Sequence, residues 1–264
     1  ATGPDGTRPL TLALDFRPAT GELYLATDDR RFYRIDTTSG AATLAGTTSP
    51  ADVATTQLLG IDFNPCVDRI RAIGANQENF RLNPDASLVA RDTDLQFAPG
   101  DEFEGLGPDA VNAIAYTACA QGATTLYGID TTLDLLVRIG SAGGSPTSPN
   151  SGQVTTVASL GTGVGGAGQI PFDIDQSSGA AYLLNSDGLS TTLYEVDLAT
   201  GEDDLGVELR LAPLAALPLD QPPGAVAEHV GVRVADGGDH AHVFVALPSP
   251  RLQGQVFSND VVVS

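Results

Sequence analysis

Internal repetition constrains this chain more than any other feature, because one short pattern recurs about every 50 residues. Leu14-Asp15-Phe16-Arg17-Pro18-Ala19-Thr20-Gly21-Glu22-Leu23-Tyr24 aligns without a gap on Phe172-Asp173-Ile174-Asp175-Gln176-Ser177-Ser178-Gly179-Ala180-Ala181-Tyr182. A third copy begins Ile61-Asp62-Phe63-Asn64-Pro65, and a weaker one is Ile114-Ala115-Tyr116-Thr117. Each reads as an alternating strand, a polar turn and a second strand, which is a hairpin pattern. A second motif follows: Tyr33-Arg34-Ile35-Asp36, then Phe80-Arg81-Leu82-Asn83, Tyr127-Gly128-Ile129-Asp130 and Tyr194-Glu195-Val196-Asp197. The closing Asp or Asn can fold back on its own backbone as an Asx-turn. One unit is therefore four strands in two hairpins, the period and strand count of a propeller blade.

The pattern predicts an all-β protein: a single β-propeller domain over residues 1–264 with five four-stranded blades, or six if one unit is cryptic. Regular repeats cover about 10–208, and an irregular last blade covers about 226–264. Ser141 to Gln153 and Gly161 to Gln169 read as exposed Gly/Ser/Thr/Pro loops, and Leu209 to Gly224 as an extended Pro-rich run.

Composition limits the function classes. Acids outnumber bases 33 to 13, for a net charge of −20, which argues against nucleic acid or an anionic membrane as partner. Every basic residue is Arg; without Lys, Schiff-base chemistry and Walker-type phosphate binding are excluded. No run of 18 apolar residues exists, so no membrane-spanning helix is expected. The absence of Met fits a chain whose signal peptide has been removed, so the expected location is secreted or in the cell envelope.

The motif pair, seen best in Gly60 to Arg71 (GIDFNPCVDRIR) and Thr124 to Thr132 (TTLYGIDTT), resembles a bacterial secreted-protein family, domain of unknown function 4394. The resemblance covers Leu12 to about Leu205. It implies an exported, propeller-like domain and no particular activity.

Cys66 and Cys119 each stand three residues past the aromatic of a first strand, Phe63 or Tyr116, at equivalent hairpin tips of consecutive units. A disulfide between them is expected, closing a loop of about 50 residues worth about 3–4 kcal/mol in the chain-entropy model. Asp15, Asp62 and Asp173 recur at one repeat position; they read as structural acceptors of backbone N–H groups between strands, with an axial calcium or hydrolase ring as the alternative. Asp36, Asp130 and Asp197 read as turn formers. Asp28-Asp29, Asp101-Glu102 and Glu202-Asp203-Asp204 read as solvated loop charges with weak calcium affinity.

All three histidines fall between His229 and His242, in the non-repeating part. The tract reads as a hairpin with an Asp/Gly turn, Ala235-Asp236-Gly237-Gly238-Asp239. His240 and His242 at i, i+2 share one strand face, about 6.5–7 Å apart at Cβ, so two imidazoles can converge on one metal. His229 joins them only if a bulge redirects it; otherwise Asp239 or the amine of Ala1 completes the set. The bland reading is a surface hairpin with incidental imidazoles. Imidazole ligands without thiolate suit copper or zinc, copper more tightly. His240-Ala241-His242-Val243-Phe244 is similar to the H-x-H-x-F strand of copper–zinc superoxide dismutases, which implies copper ligation by His240 and His242. The zinc loop and bridging histidine of that family have no counterpart here. Arg233 on the neighbouring strand could draw superoxide to the metal, or could simply pair with Asp239 or Glu228.

The expectation is thus an exported copper propeller with superoxide dismutase activity, metal ligands His229, His240 and His242, and Arg233 as the catalytic residue. The alternative is a non-catalytic envelope propeller that docks to a protein or polysaccharide partner. A metal-dependent hydrolase ranks third, and the sequence leaves a homo-oligomer open.

Overall fold

A computed structural model describes residues 11–27, 30–48, 58–108, 111–161, 163–164, 170–186, 191–201, 203–209, 230–236 and 239–245. At 11–12, 186, 191 and beyond 201, only the backbone is described. Blade 1 comprises β1 (Thr11–Arg17), β2 (Glu22–Thr27), β3 (Arg31–Ile35) and β4 (Ala42–Thr47). Blade 2 comprises β5 (Leu58–Asn64), β6 (Arg69–Gly74), β7 (Asn79–Leu82) and β8 (Leu88–Arg91). After the short β9 (Gln96–Phe97), blade 3 comprises β10 (Val111–Tyr116), β11 (Leu126–Asp130), β12 (Leu135–Ile139) and β13 (Gln153–Ser159). Blade 4 comprises β14 (Phe172–Ile174), β15 (Ala181–Ser186), β16 (Thr191–Val196) and β17 (Asp203–Leu209). A separate hairpin pairs β18 (Val230–Asp236) with β19 (Asp239–Val245).

The blades are antiparallel meanders in sequence order. Their first strands stand side by side, β1 beside β5, β5 beside β10 and β10 beside β14, so the sheets form a ring as in a propeller. Among the described residues the blade count is four rather than the expected five. The physical reason is that the second hairpin motif has no copy after Gly201, and the described part of the last segment is one two-stranded hairpin.

The core lies between blades. Tyr24, Phe32, Phe63, Ile70 and Phe80 fill the first seam, with Tyr24 and Phe63 edge to face at 5.0 Å. Val111, Tyr116, Leu126, Ile139 and Val154 form a second cluster that takes in Ile73 of blade 2. Ala115, Ile129, Leu136, Phe172, Ile174 and Leu183 join blades 3 and 4. Because middle blades are covered on both faces, β6 and β10 are nearly continuous runs of buried residues instead of alternating ones.

Turn chemistry is reused from blade to blade. Asp36 Oδ1 accepts the amides of Thr38 and Ser39, Asp130 Oδ1 those of Thr132 and Leu133, and Asp197 Oδ1 those of Ala199 and Thr200. Gly40, Gly179 and Gly201 close such turns at φ of 70°, 80° and 69°, a left-handed backbone that glycine adopts without strain. Two features go beyond the sequence pattern, and one expectation changes. The first strands β1, β5 and β10 each carry a register shift near their starts, and β9 joins β13 in parallel as a fifth strand of blade 3. Ser141 to Gln153 is not simply an exposed loop. It contains 3-10 turns at Ala142–Gly144 and Pro149–Ser151, and Pro149 is buried. Of Gly161 to Gln169, residues 162 and 165–169 lie outside the described residues, as do 210–229.

Candidate functional site

The repeat places one carboxylate on the inner strand of three blades; β1 and β5 are neighbours, and β14 lies on the far side of β10 from β5. Phe63 N–H on β5 donates to Asp15 Oδ2 on β1 at 2.6 Å. One blade further on, Tyr116 N–H on β10 donates to Asp62 Oδ2 on β5. Each Asp thus accepts the amide that follows the same repeat position in the next blade. In blade 3 that position is Ala115, which offers no carboxylate to β14. There the Ile174 amide turns instead to Asp173 Oδ1 of its own blade, at 2.7 Å. For Asp15 and Asp62 the expected role as acceptors between strands is the one the geometry supports; Asp173 departs from it, accepting the next amide of its own strand.

Their electrostatics follow from this position. Burial pushes the Asp15 carboxyl up to about 7; the hydrogen bond with Asp62 pulls the other way, and the charge of Asp173 adds to the rise. Asp62, only 5% exposed, is raised well above the ordinary range by burial and then by the charge of Asp15. Burial raises Asp173 as well. Asp173 nevertheless reaches water, whose screening offsets much of that push.

A second buried polar cluster was not foreseen. Arg71, 3% exposed on β6, donates to Asp92 at 2.7 Å, Asn79 at 2.6 Å and Asn150 at 2.7 Å. Arg81 also pairs with Asp92, and Asn79 donates to the carbonyls of Thr93 and Pro149. The cluster locks the 148–152 turn of blade 3 onto blade 2, and with the Tyr116 hydroxyl it takes up four of the five N–H donors of Arg71. Its one sequence signal is an Arg inside the apolar run Ile70-Arg71-Ala72-Ile73.

Cys66 and Cys119 are bonded, with sulfurs 2.05 Å apart, and so tie the hairpin tips of blades 2 and 3. Asp101 is a structural tie rather than a solvated charge, since its carboxylate accepts the Thr156 amide and hydroxyl and the Phe103 amide. Asp28, Asp29 and Glu202 lie outside the described residues.

The histidine tract folds as a hairpin. Its register sets His242 opposite Arg233, His240 opposite Ala235 and Val230 opposite Val245. Asp236 pairs with Asp239 across the expected turn. His229 lies outside the described residues, and so do the side chains of His240, His242 and Arg233. Among the described residues no group of three His, Cys, Asp or Glu is placed to hold a metal.

Fold and inner-strand ties together define a propeller-like protein of repeated four-stranded sheets. The chain belongs to the family described as domain of unknown function (DUF4394), whose model matches residues 4–214. No curated protein matches it. Among solved structures it is similar to a structural genomics protein of unknown function from Bacteroides thetaiotaomicron, with 14% identity and TM-score 0.46, covering 71% of this chain and 45% of that one. It is also similar to Kuenenia stuttgartiensis hydrazine synthase, with 10% identity and TM-score 0.41, covering 77% of this chain and 49% of that one. The chain thus spans about half the length of either, and likenesses this distant carry no argument about activity.

Proposed function

We propose that the protein is an exported, non-catalytic propeller that presents a rigid face to a protein or polysaccharide of the cell envelope. The observation that supports this is the use of the inner-strand carboxylates. Groups that a hydrolase would aim at substrate instead accept amides of the neighbouring blade. The disulfide supports an oxidising compartment, and no helix among the described residues is long and apolar enough to cross a membrane. Isothermal titration against purified envelope polysaccharide and cross-linking on intact cells test the reading. Saturable binding unaffected by a calcium chelator supports it. A chelator-sensitive hydrolytic activity lost in Asp62→Asn would replace it with the hydrolase.

A second reading is favoured by the hairpin register. In it the terminal hairpin binds copper through His240 and His242, with His229 as a further ligand and zinc as the weaker competitor. Arg233, paired with His242 in the ladder, draws superoxide to the site. Bound copper would supply one-electron redox chemistry; the chain's part is to hold it and attract the anion. Net charge −20 repels superoxide at long range, so attraction by Arg233 is local and salt-dependent. Mass spectrometry of protein offered copper and zinc decides. One copper per chain, lost in the His240→Ala/His242→Ala double variant, supports this reading. No bound metal in either removes it.

A further inference from the structure

The hairpin tip of blade 2 is held from both sides. Its turn, Asn64 to Arg69, carries Cys66, bonded to Cys119 of blade 3, and Asp68, gripped by Arg17 of blade 1. Arg17 makes two hydrogen bonds to that carboxylate, at 2.8 and 2.5 Å. The turn between them is closely wound. The Asn64 side chain accepts the Cys66 amide, and the Asn64 carbonyl accepts the Asp68 amide at 3.0 Å. Asp68 stands at φ 51°, a left-handed backbone that a residue with a side chain adopts at a cost and keeps where its surroundings hold it. The two sulfurs differ in access, for Cys119 is exposed and Cys66 partly buried. Arg17 also has a second partner within reach, since its guanidinium lies 3.5 Å from Glu22 of its own blade. The amide ties at Phe63 and Tyr116 and the apolar clusters of these blades involve none of these groups.

We propose that the Cys66–Cys119 bridge is a redox switch for the Arg17–Asp68 pair, opened at Cys119 by a protein dithiol. A thiolate of the dithiol attacks the accessible Sγ of Cys119; the bond to Cys66 breaks, and Cys66 leaves as a thiolate that takes a proton from water. The second thiol of the dithiol, as its thiolate, then attacks its own partner's sulfur in the mixed disulfide and releases Cys119. The bridge has gained two electrons and two protons, and the dithiol has become a disulfide. Freed from blade 3, the 64–69 turn relaxes from the left-handed geometry at Asp68, and Arg17 passes from Asp68 to Glu22. The tips of blades 1, 2 and 3 loosen together, while the inner-strand ties and the core hold the blades in place.

Two measurements on the full chain test the switch. In the first, folded protein is given glutathione, quenched with acid before exchange is complete, and the adduct is mapped by mass spectrometry. It should sit on Cys119 with Cys66 free; an adduct on Cys66, or on both alike, would overturn the proposal. In the second, 13C NMR follows the Asp68 and Glu22 carboxyl carbons through an acid titration of oxidised and of dithiothreitol-reduced protein. Oxidised Arg17→Ala supplies the reference for a lost grip. Arg17 holds the Asp68 carboxyl below its ordinary value. On reduction Asp68 should therefore titrate higher, where it does in Arg17→Ala, and Glu22 should titrate lower. An Asp68 titration unchanged by reduction would overturn the switch. Loss of strand circular dichroism on reduction would overturn it too, since the bridge would then be a condition of the fold. If Arg17→Ala does not fold, the oxidised and reduced wild-type titrations decide alone.

Discussion

Single carboxylates carry the connections between blades, and each makes its own prediction. Asp62→Ala leaves the Tyr116 amide buried without an acceptor, which costs about 1–3 kcal/mol; urea unfolding of the variant beside the parent checks it. The pH profile has two limbs of opposite sign. Asp68, held below its ordinary value by Arg17, and Asp175, held there by Ser178 and Ser177, contribute stability that is lost as pH falls through their folded values. Asp15, raised to about 7, contributes stability that is lost as pH rises toward that value. Maximum stability should therefore lie on the acid side of neutrality, and a midpoint highest at about pH 8 would contradict this assignment. At this scale much was legible, because repetition exposes a residue's role. Asp36, Asp130 and Asp197 are turn formers, and Asp15 and Asp62 are inter-strand acceptors, as their recurrence predicts. Arg71 was not legible, since no repeat copy marks it and its acceptors Asp92, Asn79 and Asn150 are scattered along the chain.

Among elements, the hairpin tips and outer strands fix neighbouring blades to each other. Cys66→Ser/Cys119→Ser should lower stability by about 3–4 kcal/mol, a loss that reduction of the parent should reproduce in a calorimeter. On β4, a Cβ at Gly46 would sit 1.7 Å from the Asp85 carbonyl oxygen of blade 2. Gly46→Ala should therefore lower the thermal midpoint by several degrees, whereas Gly21→Ala, whose added carbon meets nothing within 4 Å, should cost only the strain of its left-handed backbone. Equivalent cysteine positions made the disulfide readable in advance. The register shifts of β1, β5 and β10 were not, because one extra residue barely disturbs an apolar run. Nor was β9, whose two residues carry no periodicity of their own.

For the whole molecule, the described core is built by residues 23–196 and the family match ends at 214. A chain ending at residue 214 should therefore keep its strand circular dichroism and cooperative unfolding; loss of both would place the last segment inside the fold. Among the described residues four blades stand where five are expected, because the last tract alternates like a blade strand but lacks the second motif. The histidine hairpin was legible as a hairpin, and its register agrees. What it binds was not, since His229 and the side chains of its partners lie outside the described residues. The central claim is that inner-strand carboxylates tie blade 1 to blade 2 and blade 2 to blade 3, and residue-resolved amide hydrogen exchange tests it most directly. Asp15→Ala should lose protection at the Phe63 amide and Asp62→Ala at the Tyr116 amide, while the Ile174 amide, held within its own blade, stays unchanged in both. Full protection at Phe63 and Tyr116 in these variants would contradict the account.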